Sequence, residues 1–414
     1  MKFIKPGVIE GVVRAPPSKS MMQRALLIAS MAHGETVITN PTFCDDAAAA
    51  IRVIQALGAQ VASGPEGVVV QGRGIPRGTA LDCGESGTCM RMVCAVAALS
   101  DRKFIVSGKG SLMKRPVGMI EEPLRALGAD CGTNKGLPPI RIKGPIHGGN
   151  VAVDGSVSSQ FISGLLIALP LCHEDSDVEA VGLKSSAYVA MTRSIMAVFG
   201  AKDVSDDGVG RFHIRGGQKY TGQRYSIEGD WSGAAFLLVA GALGDGSVRV
   251  EGLSGGLQPD EGIKTALFEA GADVVMGDGY VEVQGGSLRG FEFDATNSPD
   301  LFPPLAALAC NCRGRSVIKG ASRLAHKESD RGEALAKELG RLGADIKVSG
   351  DDMVIEGRTL RGGGLNPHGD HRIAMAGAVA GLRSKNGVLI SDESCVSKSY
   401  PGFFEALESL RAEK

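Results

Sequence analysis

The chain has no long hydrophobic run, no excess of either charge and no cysteine pattern of the metal-binding kind. Each absence removes a class of function. No apolar stretch approaches the roughly 18 residues needed to span a bilayer. The opening MKFIKPGVIEG lacks the basic-then-apolar order of a secretory signal. With 45 Lys and Arg against 46 Asp and Glu, the net charge is −1, which leaves no electrostatic case for binding nucleic acid or an anionic membrane. The nine cysteines are odd in number, and Cys89, Cys94 and Cys310 sit in apolar stretches, as reduced buried thiols would. Cys310-Asn311-Cys312 is too closely spaced for the usual zinc pairs. There is no P-loop and no Rossmann fingerprint. What remains is an enzyme-sized chain of 414 residues, 43% apolar, expected to be soluble and cytoplasmic and to work without metal or nucleotide cofactor.

What is present is repetition. A stretch such as RVIQALGAQVASGPEGVVVQG (residues 52–72) combines an amphipathic helix ending in Gly-Ala, an apolar strand, a polar turn and a second strand. The Gly-Ala pairs end at Ala59, Ala129, Ala201, Ala272 and Ala344, at intervals of 70 to 72 residues. A sixth copy runs out with the helix PGFFEALESLRAEK, and its missing strand is expected from Phe3-Ile4-Lys5-Pro6-Gly7, which resembles the IRIKGP ending at Pro145.

Between these elements lie six nearly uncharged helices, starting near Ser18, Ser86, Ser158, Asp230, Asp300 and Asp370. Ser and Asp are N-cap residues, and helices apolar on every face belong in a core. Single cores stop growing near about 250–300 residues, so six repeats predict two domains of three. The cap chemistry, Ser then Asp, divides the chain in the same place. The expected fold is α/β, with two similar domains in which buried parallel helices are surrounded by sheets, an inside-out arrangement. One domain is residues 16–227; the other is 228–414 completed by residues 1–15.

The chemistry concentrates where the buried helices begin. PPSKSMMQRALLIA places Lys19, Ser20 and Arg24 at a helix N-terminus, where free N–H groups and the helix dipole favour anions. CGESGTCMR offers Gly87, for close backbone approach, and Arg91, which needs an anionic partner in an apolar helix; Glu85 is one candidate. GKGSLMKRPVG carries Lys109, Lys114 and Arg115, either a solvated loop or a lid over an anion. Ser158, Ser159 and Gln160 offer neutral donors, and Ser185 and Tyr188 start a surface helix where capping is the simpler role. In the second half, Asp300 is placed as a cap with no cation nearby in sequence. HKESDRG brings Lys327, Glu328 and Arg331, GDHRIAM brings His371 and Arg372, and CVSKSYPG brings Lys398. If the buried helices run in one sense, these cations converge on an interdomain cleft and the ligand is strongly anionic. Asp300 and Glu328 are then the groups left for proton transfer.

Taken together, PPSKSMMQRALL, GTCMR, MKRPVG, DGSVSSQF, HKESDR, GDHRIAM and KSYPGFFE closely resemble the 5-enolpyruvylshikimate-3-phosphate synthase family, in order and over essentially the whole chain. The resemblance implies a two-domain enolpyruvyl transferase fold and transfer of enolpyruvyl from phosphoenolpyruvate to shikimate 3-phosphate. Lys19, Ser20, Arg24, Ser158, Ser159, Gln160, Ser185, Tyr188, Asp300 and Lys327 would hold shikimate 3-phosphate. Lys19, Gly87, Arg115, Gln160, Arg331, Arg372 and Lys398 would surround phosphoenolpyruvate. Lys19 and Asp300 would assist hydroxyl attack and Glu328 would protonate the methylene carbon. The implied partners are these small substrates alone, for a monomer, with glyphosate as a competitor of the donor. Many family members carry Asn where this chain has Glu85. The alternatives are an enolpyruvyl transferase acting on UDP-N-acetylglucosamine, which typically has a reactive Cys in the loop that here reads GKGSLMKRPVG, and a non-catalytic anion-binding repeat scaffold.

Overall fold

The computed structural model describes residues 1–411, so the last three residues of PGFFEALESLRAEK lie outside the described residues. The chain divides into two compact units, Pro17–Ile227 and Met1–Pro16 with the chain from Glu228 onward.

The first unit carries α1 (Lys19–Met31), α2 (Asp45–Ala56), α3 (Gly87–Ala97), α4 (Glu121–Ala126), α5 (Gln160–Ala168) and α6 (Ser186–Val198). The second carries α7 (Trp231–Leu243), α8 (Ile263–Glu269), α9 (Phe302–Cys310), α10 (Arg331–Arg341), α11 (His371–Gly381) and α12 (Phe403–Ser409). Odd-numbered helices through α11 are the buried set. α1 is buried throughout from Met21 to Met31, and α9 over its whole length. The even-numbered helices α2 and α10 keep polar faces outward. Among the described residues, no helix is long and apolar enough to cross a membrane.

The second repeat shows the unit of construction. Strand Ala80–Asp82 runs into α3, then strand Lys103–Ser107, α4, and a hairpin of Asp130–Asn134 and Leu137–Lys143. The first two strands pair in parallel across the buried helix, and the hairpin adds antiparallel strands. The parallel lead strands are three to five residues long, too short for side-chain alternation to register in sequence.

Two lead strands are borrowed from distant sequence. The first repeat takes Arg224–Ser226, parallel to Glu35–Thr39, and the fourth takes Gly11–Arg14, parallel to Ser247–Glu251. The sixth repeat is completed by the N-terminus, with Lys2–Ile4 antiparallel to Val388–Ile390. That strand starts one residue earlier and is shorter than the FIKPG expected, because Pro6 has no N–H to extend the ladder.

Packing inside each unit requires close helix approach. α3 lies between α1 and α5, and α7, α9 and α11 pack on one another. A side chain at Gly164 of α5 would place Cβ 2.7 Å from the Met92 carbonyl of α3, so only glycine permits this spacing. Around α7, Phe236 and Phe403 meet edge to face at 6.1 Å between centroids.

Ile4 is almost wholly buried although its strand is short. Ile4→Ala should therefore destabilise the unit containing Glu228 by about 2–4 kcal/mol. Denaturant unfolding monitored at Trp231, which lies in that unit, measures it. A midpoint equal to the parent's would mean that the N-terminal strand is dispensable.

Candidate active site

In the Pro17–Ile227 unit, the buried helices present their N-terminal turns to one another. Ser18 caps α1, its Oγ accepting from the Met21 amide at 3.4 Å. The Lys19 side chain is only 12% exposed and its Nζ donates to Asp46 Oδ2, in the first turn of α2, at 2.9 Å. Ser86 caps α3 by accepting from the Cys89 amide at 3.2 Å, and its hydroxyl donates to Gln23 Oε1 at 2.8 Å, tying α3 to α1.

Arg24, one turn into α1, is buried. Its Nε donates to Thr192 Oγ1 at 2.7 Å and its Nη1 to the Ser20 carbonyl at 2.9 Å. The guanidinium lies 5.7 Å from the Tyr188 ring centroid. Burial pushes its pKa down to about 10, against the opposing influence of Tyr188 and Tyr225.

Gly87 opens α3. A Cβ there would stand 2.8 Å from Arg115 Nη1 and 3.0 Å from Arg91 Nη1, so the missing side chain makes room for two guanidinium groups. Arg91 Nη1 donates to Gln160 Oε1 at 2.8 Å and Nη2 to the Pro116 carbonyl at 3.0 Å, while Gln160 Nε2 reaches Thr88 at 2.8 Å. The basic loop is split: Lys109 and Lys114 are exposed, whereas Arg115 is only 7% exposed. Glu85 is set against this loop. A Cβ on Gly110 would be 2.0 Å from Glu85 Oε1, and Gly110 also has φ +56°, so the carboxylate fills a notch that only glycine leaves.

Two expected caps of this unit differ from the structure. α5 begins at Gln160, so Ser159 holds the cap position; buried Ser158 instead accepts from the Gln160 amide at 3.2 Å. Ser185 precedes α6 in a left-handed conformation (φ 56°) and makes no side-chain cap bond.

The other unit gathers its charges more tightly. Arg331, with 1% of its side chain exposed, binds three carboxylates. Nη1 donates to Asp300 Oδ1 at 2.9 Å, Nη2 to Glu328 Oε2 at 2.5 Å, and Nε to Asp370 Oδ2 at 2.9 Å. Arg372 Nη2 donates to Asp300 Oδ2 at 3.0 Å, and Lys327 Nζ is 3.7 Å from Asp300 Oδ1. Asp300 is therefore not a cap. It sits in a 3-10 turn, Pro299–Leu301, ahead of α9, and the cations absent from its sequence neighbourhood come from α10, α11 and the segment before α10. The Glu328–Arg331 pair, three residues apart in sequence, is buried with Arg331. Asp330, between them in sequence, caps α10 through the Glu333 amide at 3.1 Å. Lys398 is buried at the end of a 3-10 turn that packs on α11.

Burial alone would raise the Asp300 pKa, but Arg372, Lys327 and Arg331 outweigh it and hold the carboxyl well below the usual range. Burial lowers Lys327 to about 8, with Asp300 opposing and Arg331 reinforcing the shift. Arg331 is raised despite its burial, by Asp370, Glu328 and Asp300.

Sequence reasoning missed four residues here. Asp46 reads as an ordinary first-turn acid but holds Lys19. Asp370 was expected only as a cap. It does cap α11 through the Arg372 amide at 3.0 Å, and it also holds Arg331. Thr192 and buried Asp260 carry no sequence signal. Asp260 bonds the Ser232 hydroxyl, and burial, with Asp300 adding and Arg372 opposing, raises its pKa to about 6.

Because the folded pKa of Asp300 is depressed, its stabilising contribution is complete above the unfolded carboxylate range and is lost as pH falls below about 4. Asp300→Asn should flatten the dependence of unfolding free energy on pH in that acid range. Parallel pH–stability curves for parent and variant would contradict the charge network.

Comparison with known proteins agrees over nearly the whole chain. The family model for EPSP synthase (3-phosphoshikimate 1-carboxyvinyltransferase) matches residues 4–407. Curated relatives of that name include one from Methanocorpusculum labreanum, 39% identical over 98% of this chain and 97% of that one. Another, from Methanothrix thermoacetophila, is 41% identical over 98% and 96%. A solved EPSP synthase from Acinetobacter baumannii superposes with a TM-score of 0.83 at 29% identity, covering 99% of this chain and 98% of that one. The repeats, the guanidinium-lined glycine turn and the carboxylates held by Arg331 thus sit in a chain that belongs to the EPSP synthase (3-phosphoshikimate 1-carboxyvinyltransferase) family.

Proposed function

We propose that this chain transfers the enolpyruvyl group of phosphoenolpyruvate to the 5-hydroxyl of shikimate 3-phosphate, releasing inorganic phosphate on the cytoplasmic route to chorismate and the aromatic amino acids. The observation that carries this reading is a pair of carboxylates, Asp300 and Glu328, held among Lys327, Arg331 and Arg372. A simple anion-binding scaffold would have no use for acids at the centre of its cations.

Lys19, Ser20, Arg24, Ser158, Ser159, Gln160, Ser185, Tyr188, Asp300 and Lys327 hold shikimate 3-phosphate in this reading. Lys19, Gly87, Gln160, Arg115, Arg331, Arg372 and Lys398 hold phosphoenolpyruvate. A carboxylate kept as firmly anionic as Asp300 is a weak base. Substrate phosphate and carboxylate groups compete for its cations, which raises its proton affinity when catalysis needs it. Asp300, assisted by Lys19, then accepts the hydroxyl proton as the oxygen bonds to C2 of phosphoenolpyruvate. Glu328 protonates the methylene carbon, giving a tetrahedral adduct. Return of one methyl proton and cleavage of the C2–O–phosphate bond give product and phosphate. Arginines and helix N-termini already in place stabilise the adduct's charge.

Phosphate release tests the reading directly. Release is expected with shikimate 3-phosphate and phosphoenolpyruvate and not with UDP-N-acetylglucosamine as acceptor; the reverse result would assign the chain to the other transferase reaction. Glu328→Gln should lower turnover by about 10²–10⁴-fold, the general acid–base range. Turnover near that of the parent would reassign Glu328 to its ion pair with Arg331.

A pH profile tests Lys327 separately. Its depressed pKa means the cation is lost as pH rises through about 8. The kcat/KM for shikimate 3-phosphate should fall over that range, and Lys327→Arg should move the fall to higher pH. A profile that is the same in both proteins would remove Lys327 from the substrate site.

A further inference from the structure

We propose that Thr192 positions Arg24 for an anionic substrate, acting through the guanidinium rather than by touching the ligand. This rests on the reading of Arg24 as a shikimate 3-phosphate ligand. Thr192 is fully buried in α6, one helical turn beyond Tyr188. Its Oγ1 has three neighbours at hydrogen-bond distance: Arg24 Nε at 2.7 Å, the Tyr188 carbonyl at 2.9 Å and Ser163 Oγ at 3.0 Å.

A hydroxyl has one proton to give and two lone pairs to accept with. Arg24 can only donate and the carbonyl can only accept. Thr192 therefore donates to Tyr188 and accepts from Arg24, and Ser163 fills the remaining lone pair by donating its own hydroxyl proton. In this sense all three contacts have one donor and one acceptor each. The arrangement ties α1, α5 and α6 together at one atom.

The charge of Arg24 makes that atom matter. Among the described residues no carboxylate pairs with Arg24. Its acceptors are the Thr192 hydroxyl and the carbonyls of Ser20 and Tyr188, the last at 3.4 Å. A buried cation held only by neutral acceptors keeps its charge uncompensated for an incoming anion. Its orientation depends on those bonds, of which Nε to Thr192 is the shortest. Without the hydroxyl, the planar fork loses the contact that fixes rotation about its last side-chain bond, and bidentate recognition of phosphate or carboxylate needs that plane fixed.

Calorimetric titration of the full chain with shikimate 3-phosphate, alongside steady-state kinetics, tests the proposal in the parent, Thr192→Val, Thr192→Ser, Arg24→Met and the Arg24→Met/Thr192→Val double variant. Thr192→Val should weaken binding by about 10- to 100-fold, the range for a hydrogen bond to a charged group. The KM for shikimate 3-phosphate should rise by more than kcat falls. Thr192→Ser, which keeps the oxygen, should recover most of the affinity. In the double variant, loss of Thr192 should add little to loss of Arg24, because one acts through the other.

Should Thr192→Val not fold, Ser163→Ala, which removes the bond steadying Thr192, should show the same KM pattern at smaller size. Binding within about twofold of the parent in whichever of these two variants folds would overturn the proposal. So would Thr192→Ser binding as poorly as Val, or full additivity in the double variant. A parent chain that does not bind shikimate 3-phosphate at all would overturn the functional reading, and this proposal with it.

Discussion

A helix that is apolar on every face has to be covered on every face, and this requirement organises both units. α7 and α9 leave almost nothing exposed along their length, so sheets and neighbouring helices must enclose them. Charged side chains are then admitted only within the first turn or two, at the N-terminal ends of these helices, and the few polar groups deeper in, such as Ser163, are hydrogen-bonded. The caps Ser18, Ser86, Asp230 and Asp370 and the cations beside them mark those ends. The location of the chemistry is thus set by what the core cannot accommodate.

The two units handle buried positive charge in opposite ways. Arg331 is surrounded by Asp300, Glu328 and Asp370, so its desolvation is offset by three carboxylates, and removing one partner strands the others. Arg24 is equally buried but is held by a hydroxyl and two carbonyls. The first arrangement is neutral or better without ligand, and gives an anion carboxylates with which it must compete. The second offers an anion a cation already stripped of water. Gly87 belongs with the second kind of solution: two guanidinium groups lie against it because it has no side chain.

The sequence made legible whatever depended on long periodicity. The repeat spacing and the uncharged helices gave the α/β architecture, and the motif order gave the family. Residue types at the helix starts also led to Arg331, Arg372 and Asp300. What could not be read were relations set by distance in space. Asp300 looked like a cap because its cations are supplied from residues 327–372, and Asp370 looked like only a cap because its bond to Arg331 spans 39 residues. Thr192 sits in an ordinary helical stretch, and its role depends on Arg24, 168 residues away. The short lead strands were invisible for a different reason. Three residues such as Ala80–Asp82 carry no period, and pairing alone makes them strands.

The pairing of Lys2–Ile4 with Val388–Ile390 bears on how the protein is made. The Pro17–Ile227 unit is one uninterrupted stretch, and its last strand, Arg224–Ser226, closes the sheet begun by Glu35–Thr39. It can finish folding while the ribosome is still translating the second half of the chain. The other unit has the reverse history: its N-terminal strands emerge early, and Lys2–Ile4 must wait for residue 390 before it has a partner. Until then its apolar edge is open to other chains, so the wait is the interval in which a chaperone or a slow translation rate would have most influence on yield.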